Sequence, residues 1–187
     1  VRELDTVAKS LAGVGLPFGF CGGCGLELFV AMHGGSLARS HADIDIAVSR
    51  GDIERWVRHL GGTVRVVRDG ALHDMSPDAI ASSGSHEVHI DVDGRALELL
   101  LGDVEAGDWL YRRDHRVRRS MSQAFLMAAA PILAPELILL FKAKEPRNKD
   151  TSDFATTHPL LGDERRSWLR AALDIAHPNH PWSRQLV

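Results

Sequence analysis

Cysteine is scarce: Cys21 and Cys24 are the only two in 187 residues. Their C-x-x-C spacing fits a redox pair or half of a zinc site. A structural zinc site takes four ligands, and no second cysteine pair supplies the rest. The proline and aromatic company of a thioredoxin-type redox turn is also missing. What is left is two packed thiols flanking a glycine turn, in a reducing, cytoplasmic setting. Long apolar runs are lacking as well. The longest, 125–141, is interrupted by Pro131, Pro135 and Glu136 and is too short to span a bilayer. It reads as a buried strand or loop entering a core helix. Residues 1–11 mix charge with apolar side chains at helical spacing, so no signal peptide is expected. The ten histidines show no metal-ligand spacing; His41 and His158 read as loop or packing residues. Neither an internal repeat nor a low-complexity segment is visible.

Apolar residues make up 44% of the chain and charged residues 25%, the balance of a globular protein with a core of useful size. Charge is unevenly spread. Between residues 111 and 150, nine basic residues face four acids, although the whole chain is at -3. An acidic remainder beside a basic segment suits a metal-loading half meeting an anionic ligand.

The apolar pattern predicts a helix over 3–14, a short buried strand at 17–21 and a helix over 25–32 that ends at Gly34-Gly35. A strand at 44–48 follows, then a helix over 53–60 with Trp56 in the core, and a strand at 63–68. Residues 86–92 and 96–101 form a hairpin across Asp93-Gly94. Helices at 135–144 and 164–176 are separated by a polar link at 145–159. The fold class expected is α+β: a mixed sheet flanked by helices over 1–120, with a helical C-terminal part over 121–187 packed on it.

Asp43 and Asp45 stand at positions i and i+2, which on a strand puts both carboxylates on one face. Two such groups repel, and a divalent cation is the usual compensation. Magnesium favours hard oxygen ligands and leaves positions open for phosphates. Asp45 also lies between Ile44 and Ile46, where an unpaired charge is costly. The Gly22-Gly23 turn before a helix offers free N–H groups to a phosphate. Glu98, alone in Leu97-Glu98-Leu99-Leu100-Leu101, must be paired, metal-bound or pKa-shifted, unless it lies on an exposed sheet face. Lys142, Lys144, Arg147 and Lys149 are candidates for gripping a triphosphate, or else a solvated helix end. Trp109 and Trp182 are core residues or walls of an acceptor pocket.

Taken together, 22–28 (Gly22-Gly23-Cys24-Gly25-Leu26-Glu27-Leu28) and 39–48 (Arg39 through Asp43-Ile44-Asp45 to Val48) resemble the DNA polymerase beta-like nucleotidyltransferase superfamily. The nearest branch holds the small aminoglycoside and lincosamide nucleotidyltransferases. Leu97 to Leu101, the segment 109–114, the segment 135–142, Arg147-Asn148-Lys149-Asp150 and His180-Pro181-Trp182 fit the same pattern, so the resemblance covers most of the chain. It implies transfer of a nucleoside monophosphate, AMP from ATP, to a hydroxyl of a small molecule, as in aminoglycoside resistance. Asp43 and Asp45 would bind Mg2+ (two ions), and a third acid, Glu98 with Asp91 as its rival, would complete the site. Gly22, Gly23, Ser36 and Arg39, with Lys142 and Lys149, would position the triphosphate. Relatives usually carry tryptophan where this chain has Cys24, and the loop 32–40 is longer than usual. The acceptor, the base, the oligomeric state and retention of catalysis stay open. A toxin-like transferase acting on RNA or protein, and a non-catalytic nucleotide-binding module, are the alternatives.

Overall fold

Alternation of apolar and polar residues in the strands, together with glycine turns, builds a mixed sheet on which the helices pack. The computed structural model describes residues 2–37, 44–80, 82–92 and 94–186. Helix α1 (Arg2–Ala12) leads to β1 (Phe18–Phe20), α2 (Gly22–Met32) and β2 (Ile44–Ser49). After a 3-10 turn come α3 (Ile53–Leu60), β3 (Thr63–Arg68), β4 (Ala71–Asp74), the short α4 (Pro77–Ile80), β5 (Glu87–Val92) and β6 (Arg95–Glu105). The second half adds β7 (Asp108–Leu110), β8 (Arg118–Ser120), α5 (Met121–Ala124), β9 (Phe125–Met127) and β10 (Pro131–Leu133). Three helices close the chain: α6 (Pro135–Lys142), α7 (Asn148–Thr157) and α8 (Asp163–Ala176).

The strands run in the order β4-β3-β5-β6-β2-β1-β10-β9, and β7 and β8 continue from the far half of β6. The sheet is mixed: β2 runs parallel to β6 and β1 parallel to β10, while β5 and β6 are antiparallel neighbours. One face is apolar. Ile46, Val48, Leu97, Leu99, Val88, Ile90, Val64 and Val66 alternate onto it and are buried. Helices α1 and α3 cover this face: Val7, Leu11 and Leu60 share a small cavity with Val92 and Leu97, and Trp56 meets Phe18 edge to face at 5.8 Å. Trp56 is fully buried, as its helical spacing predicts. The opposite face carries Asp45, Glu98, His89 and Glu87, which is where the cleft opens.

The structure differs from the expected layout at several points. The boundary at residue 120 falls inside the sheet, because β10 pairs with β1. The helical part begins at Pro135, a residue suited to the first turn of a helix. Most of the expected polar link, 145–159, is helix α7. Its inward stripe is Asp150, Asp153, Phe154 and Thr157, half of it acidic because it faces Lys142. Finally, β4 and α4 were not expected; all four residues of β4 are exposed, so no alternation marks it. The apolar run 125–141 does become buried strand leading into a core helix.

Candidate functional site

Parallel pairing of β2 with β6 sets Asp45 directly beside Glu98, and antiparallel pairing of β5 with β6 sets His89 on Glu98's other side. A row of polar groups thus crosses three central strands on the face away from the core. Glu87, two residues before His89, points the same way. Glu87 Oε1 accepts from His89 Nε2 at 2.7 Å, and Glu98 Oε1 lies 3.7 Å from the same nitrogen. Among the described residues, Glu87, His89 and Glu98 bring their ligand atoms within 4.8 Å of one another.

The electrostatics of the row are those of crowded acids. Burial, then hydrogen bonds with the carboxyl groups of Glu87 and Asp45, push the Glu98 carboxyl up to about 9. Two carboxyl groups share a hydrogen bond only when one of them holds a proton, so Glu98 is the protonated member. Glu87 moves the other way: the hydrogen bond from Glu98 draws it below the usual carboxylate range, against its burial. A divalent cation would do the work that this proton does, namely holding the acids together. The donor set of hard oxygens with one imidazole fits such an ion.

Helix α2 starts against this row. Gly22 has φ +55, a left-handed conformation that favours glycine, and a Cβ there would lie 1.8 Å from Asp45 Oδ2. The carboxylate therefore packs onto a bare α-carbon. The backbone N–H of Cys21 donates to the Asp45 carbonyl at 2.9 Å and ties the helix start to β2. Cys21, the residue before α2, makes no side-chain cap bond to it, and a helix start of this kind can receive a phosphate. Cys21 and Cys24 are buried free thiols, and burial, with the charges of Asp45 and Glu98 behind it, pushes the Cys21 thiol well up.

Asp45, Glu87 and Glu98 of the row, with the helix start, line a cleft of about 810 Å³. Lys142, Lys144, Arg147 and Lys149 line it from α6, the link after it and α7, and Arg112 and Arg113 from the loop after β7. Lys142 is held by Asp150 at 2.6 Å and Asp153 at 3.0 Å, both 2% exposed. Burial pushes the Asp150 carboxyl up, but hydrogen bonds from Arg147 and Lys142 outweigh it and hold the group well below its usual range. Lys149 stands exposed at the mouth.

Of the site residues expected from sequence, the cleft gathers Asp45, Glu98, Gly22, Gly23, Lys142 and Lys149. Asp43 and Arg39 lie outside the described residues. Ser36 is not in the cleft lining: its hydroxyl donates to Glu27 Oε1 at 3.1 Å, and the Leu37 N–H donates to Glu27 Oε2 at 2.8 Å, which folds the loop back onto α2. Asp91 is also elsewhere, accepting from the Gly94 N–H at the hairpin end. Trp109 is buried and lines the cleft; Trp182 is buried against Phe154, with the rings stacked at 4.2 Å. Sequence reasoning missed Glu87 and His89. The two-residue spacing between Val92 and Arg95 was the available signal, because it fixes His89 opposite Glu98.

No protein-family model matches the chain, and comparison with curated proteins finds no match either. Similar solved structures include two of ANT(2'')-Ia. The solution structure of the antibiotic-resistance factor ANT(2'')-Ia superposes with a TM-score of 0.51 at 18% identity, covering 92% of this chain and 89% of that one. The crystal structure of ANT(2'')-Ia in complex with adenylyl-2''-tobramycin gives a TM-score of 0.55 at 19% identity, covering 94% and 98%. At this identity the likeness is one of fold, and it spans nearly the whole of both chains: this protein has the mixed, helix-flanked sheet of ANT(2'')-Ia.

Proposed function

We propose that the chain is a nucleotidyltransferase that moves a nucleoside monophosphate, AMP from ATP, to a hydroxyl of a small molecule. The observation that carries this reading is the register of Asp45 beside Glu98 across parallel strands, with bare Gly22 at a helix start packed against Asp45. The fold shared with ANT(2'')-Ia, whose crystal structure holds adenylyl-2''-tobramycin, supports both the adenylyl group and the small-molecule acceptor.

Asp45 and Glu98 would hold magnesium with Asp43, which is assigned on its sequence spacing alone. Glu87 and His89 stand within reach of Glu98. Bound magnesium would neutralise the phosphates and stabilise charge on the entering and leaving oxygens. The helix start at Gly22 and Gly23 orients the triphosphate, and Lys149 meets its outer end. With magnesium in place of the proton it otherwise holds, Glu98 would be ionised and placed to take the proton of the attacking hydroxyl as its oxygen bonds the α-phosphorus and pyrophosphate departs. Such in-line transfer asks the protein mainly for position and charge. The two buried thiols fit a reducing, cytoplasmic setting.

The test incubates purified protein with Mg2+, each labelled nucleoside triphosphate, and a panel of aminoglycosides, lincosamides, tRNA and protein. Label should pass from ATP to a small molecule in wild type and not in Asp45→Ala. Transfer that survives the substitution would sink the metal assignment. Transfer to tRNA or protein would point to a toxin-like enzyme, and nucleotide binding without any transfer to a non-catalytic module.

A further inference from the structure

Charge in the cleft is settled in some places and open in others. Lys142 and Arg147 are balanced by Asp150. Arg50 is committed to Asp103, to the Ser85 carbonyl and to His86 Nδ1. Arg113 donates to the Tyr111 hydroxyl and the Phe141 carbonyl, both neutral, so its charge has no counter-ion there. Arg112 stands apart from all of these. It is half-buried, lines the cleft, and makes no hydrogen bond or ion pair with any described residue. The acid whose charge it feels, Glu87, is engaged by His89 and Glu98.

A partly dehydrated guanidinium with five free donors, flanked by two further arginines, is an incomplete arrangement that an oxyanion completes. Burial and the neighbouring Arg113 lower the Arg112 pKa, and the charge of Glu87 offsets only part of that. The side of the cleft on which it sits decides what that oxyanion belongs to. Arg112 feels Glu87 and Arg50, on the β5 side of Glu98, whereas Gly22 packs on Asp45, on the β2 side. A triphosphate laid along Gly22, Gly23 and Lys149 leaves Arg112 facing the other reactant.

We propose that the acceptor of this cleft carries a phosphate or carboxylate beside its reactive hydroxyl, and that Arg112 binds it. The assignment rests on the nucleotidyl-transfer reading and departs from a polycationic acceptor, whose ammonium groups would meet Arg112 and Arg113. Arg112 is a specificity-determining residue in this scheme.

The test loads the protein with Mg2+ and α,β-methylene-ATP, which cannot transfer its nucleotide. Glucose, glucose 6-phosphate, glucuronate and tobramycin are then titrated calorimetrically into wild type, Arg112→Gln and Arg112→Glu. Glucose 6-phosphate or glucuronate should bind wild type about tenfold or more tighter than glucose, and the stronger of the two identifies the anion. Arg112→Gln should erase that margin with nucleotide affinity held, and Arg112→Glu should turn the preference toward tobramycin. Tighter binding of tobramycin by wild type overturns the proposal, as does equal binding of glucose and both anions. An equal fall in nucleotide affinity in Arg112→Gln overturns it too, since Arg112 would then serve the triphosphate. Failure of the nucleotide analogue to bind at all sinks the nucleotidyl-transfer reading, and this proposal with it.

Discussion

Replacing Gly22 with alanine tests whether the helix start and the carboxylate row form one unit. Two effects combine there. The residue sits at φ +55, where an L side chain costs about 1–2 kcal/mol. The new Cβ would also fall 1.8 Å from Asp45 Oδ2, whereas a comfortable carbon–oxygen contact is about 3.3 Å. Asp45, α2 or both must therefore give way by roughly 1.5 Å. A displacement near 1 Å at a reacting centre costs about a hundredfold in rate. Gly15→Ala is the control: it has φ +70, and an added methyl group there would meet nothing within 4 Å. Both variants should melt about 2–8 °C below wild type. Only Gly22→Ala should also lose transfer activity, by about a hundredfold or more, together with Mg2+ affinity. Thermal melts, calorimetric titration of Mg2+ and initial rates decide the matter. A Gly22→Ala protein that keeps wild-type rates and Mg2+ affinity would refute the coupling of helix start to carboxylate.

Glu98→Gln should stabilise the metal-free protein at alkaline pH. The folded-state value of about 9 lies above the ordinary 4.5, so stability from this group is full below 4.5 and declines as pH rises toward 9. Thermal melts between pH 5 and 9 in chelator should slope downward for wild type and flatten in the variant; parallel curves would contradict the assignment. Lys142→Met leaves Asp150 and Asp153 buried with less compensating charge and should cost about 3–5 kcal/mol in urea unfolding. Because the Asp150 carboxyl is held below its usual range, its contribution is present above the ordinary carboxylate pKa and disappears as pH falls. The variant should accordingly unfold at a higher pH on acid titration. Arg119→Met removes the guanidinium that joins buried Glu136 of α6 to Glu164 of α8, at 2.7 and 2.6 Å. About 3–5 kcal/mol of stability should go with it, and a loss under about 1 kcal/mol would show that Arg165 alone satisfies Glu136.

The parts of this structure that were legible in the sequence are those where apolar residues set the period. Strand β2 shows itself through Ile44, Ile46 and Val48, and α3 through Ile53, Trp56, Val57 and Leu60. Glu98 stands out as the single acid of an apolar strand. The parts that were not legible replace apolar side chains with paired charges. Helix α7 turns Asp150 and Asp153 inward onto Lys142, so its buried stripe reads as a polar link. Glu87 and His89 alternate with Val88 and Ile90 and so look like a solvent face, until pairing with β6 sets them around Glu98. Ser36 misleads for a local reason: its polar partner is Glu27 of α2, which also anchors the Leu37 N–H, and this pairing keeps the hydroxyl out of the cleft lining.

The pairing of β10 with β1 has a consequence for how the protein is made. Strand β1 delivers the chain to Gly22, yet one of its two neighbours is synthesised more than a hundred residues later. The lysines that line the cleft come later still. A nascent chain holding the first 120 residues would expose an unpaired edge on β1, the kind of edge that invites wrong pairing. Assembly of the site is thus postponed until β10, α6 and α7 have been made, and a chain stopped short of β10 should yield aggregation-prone fragments.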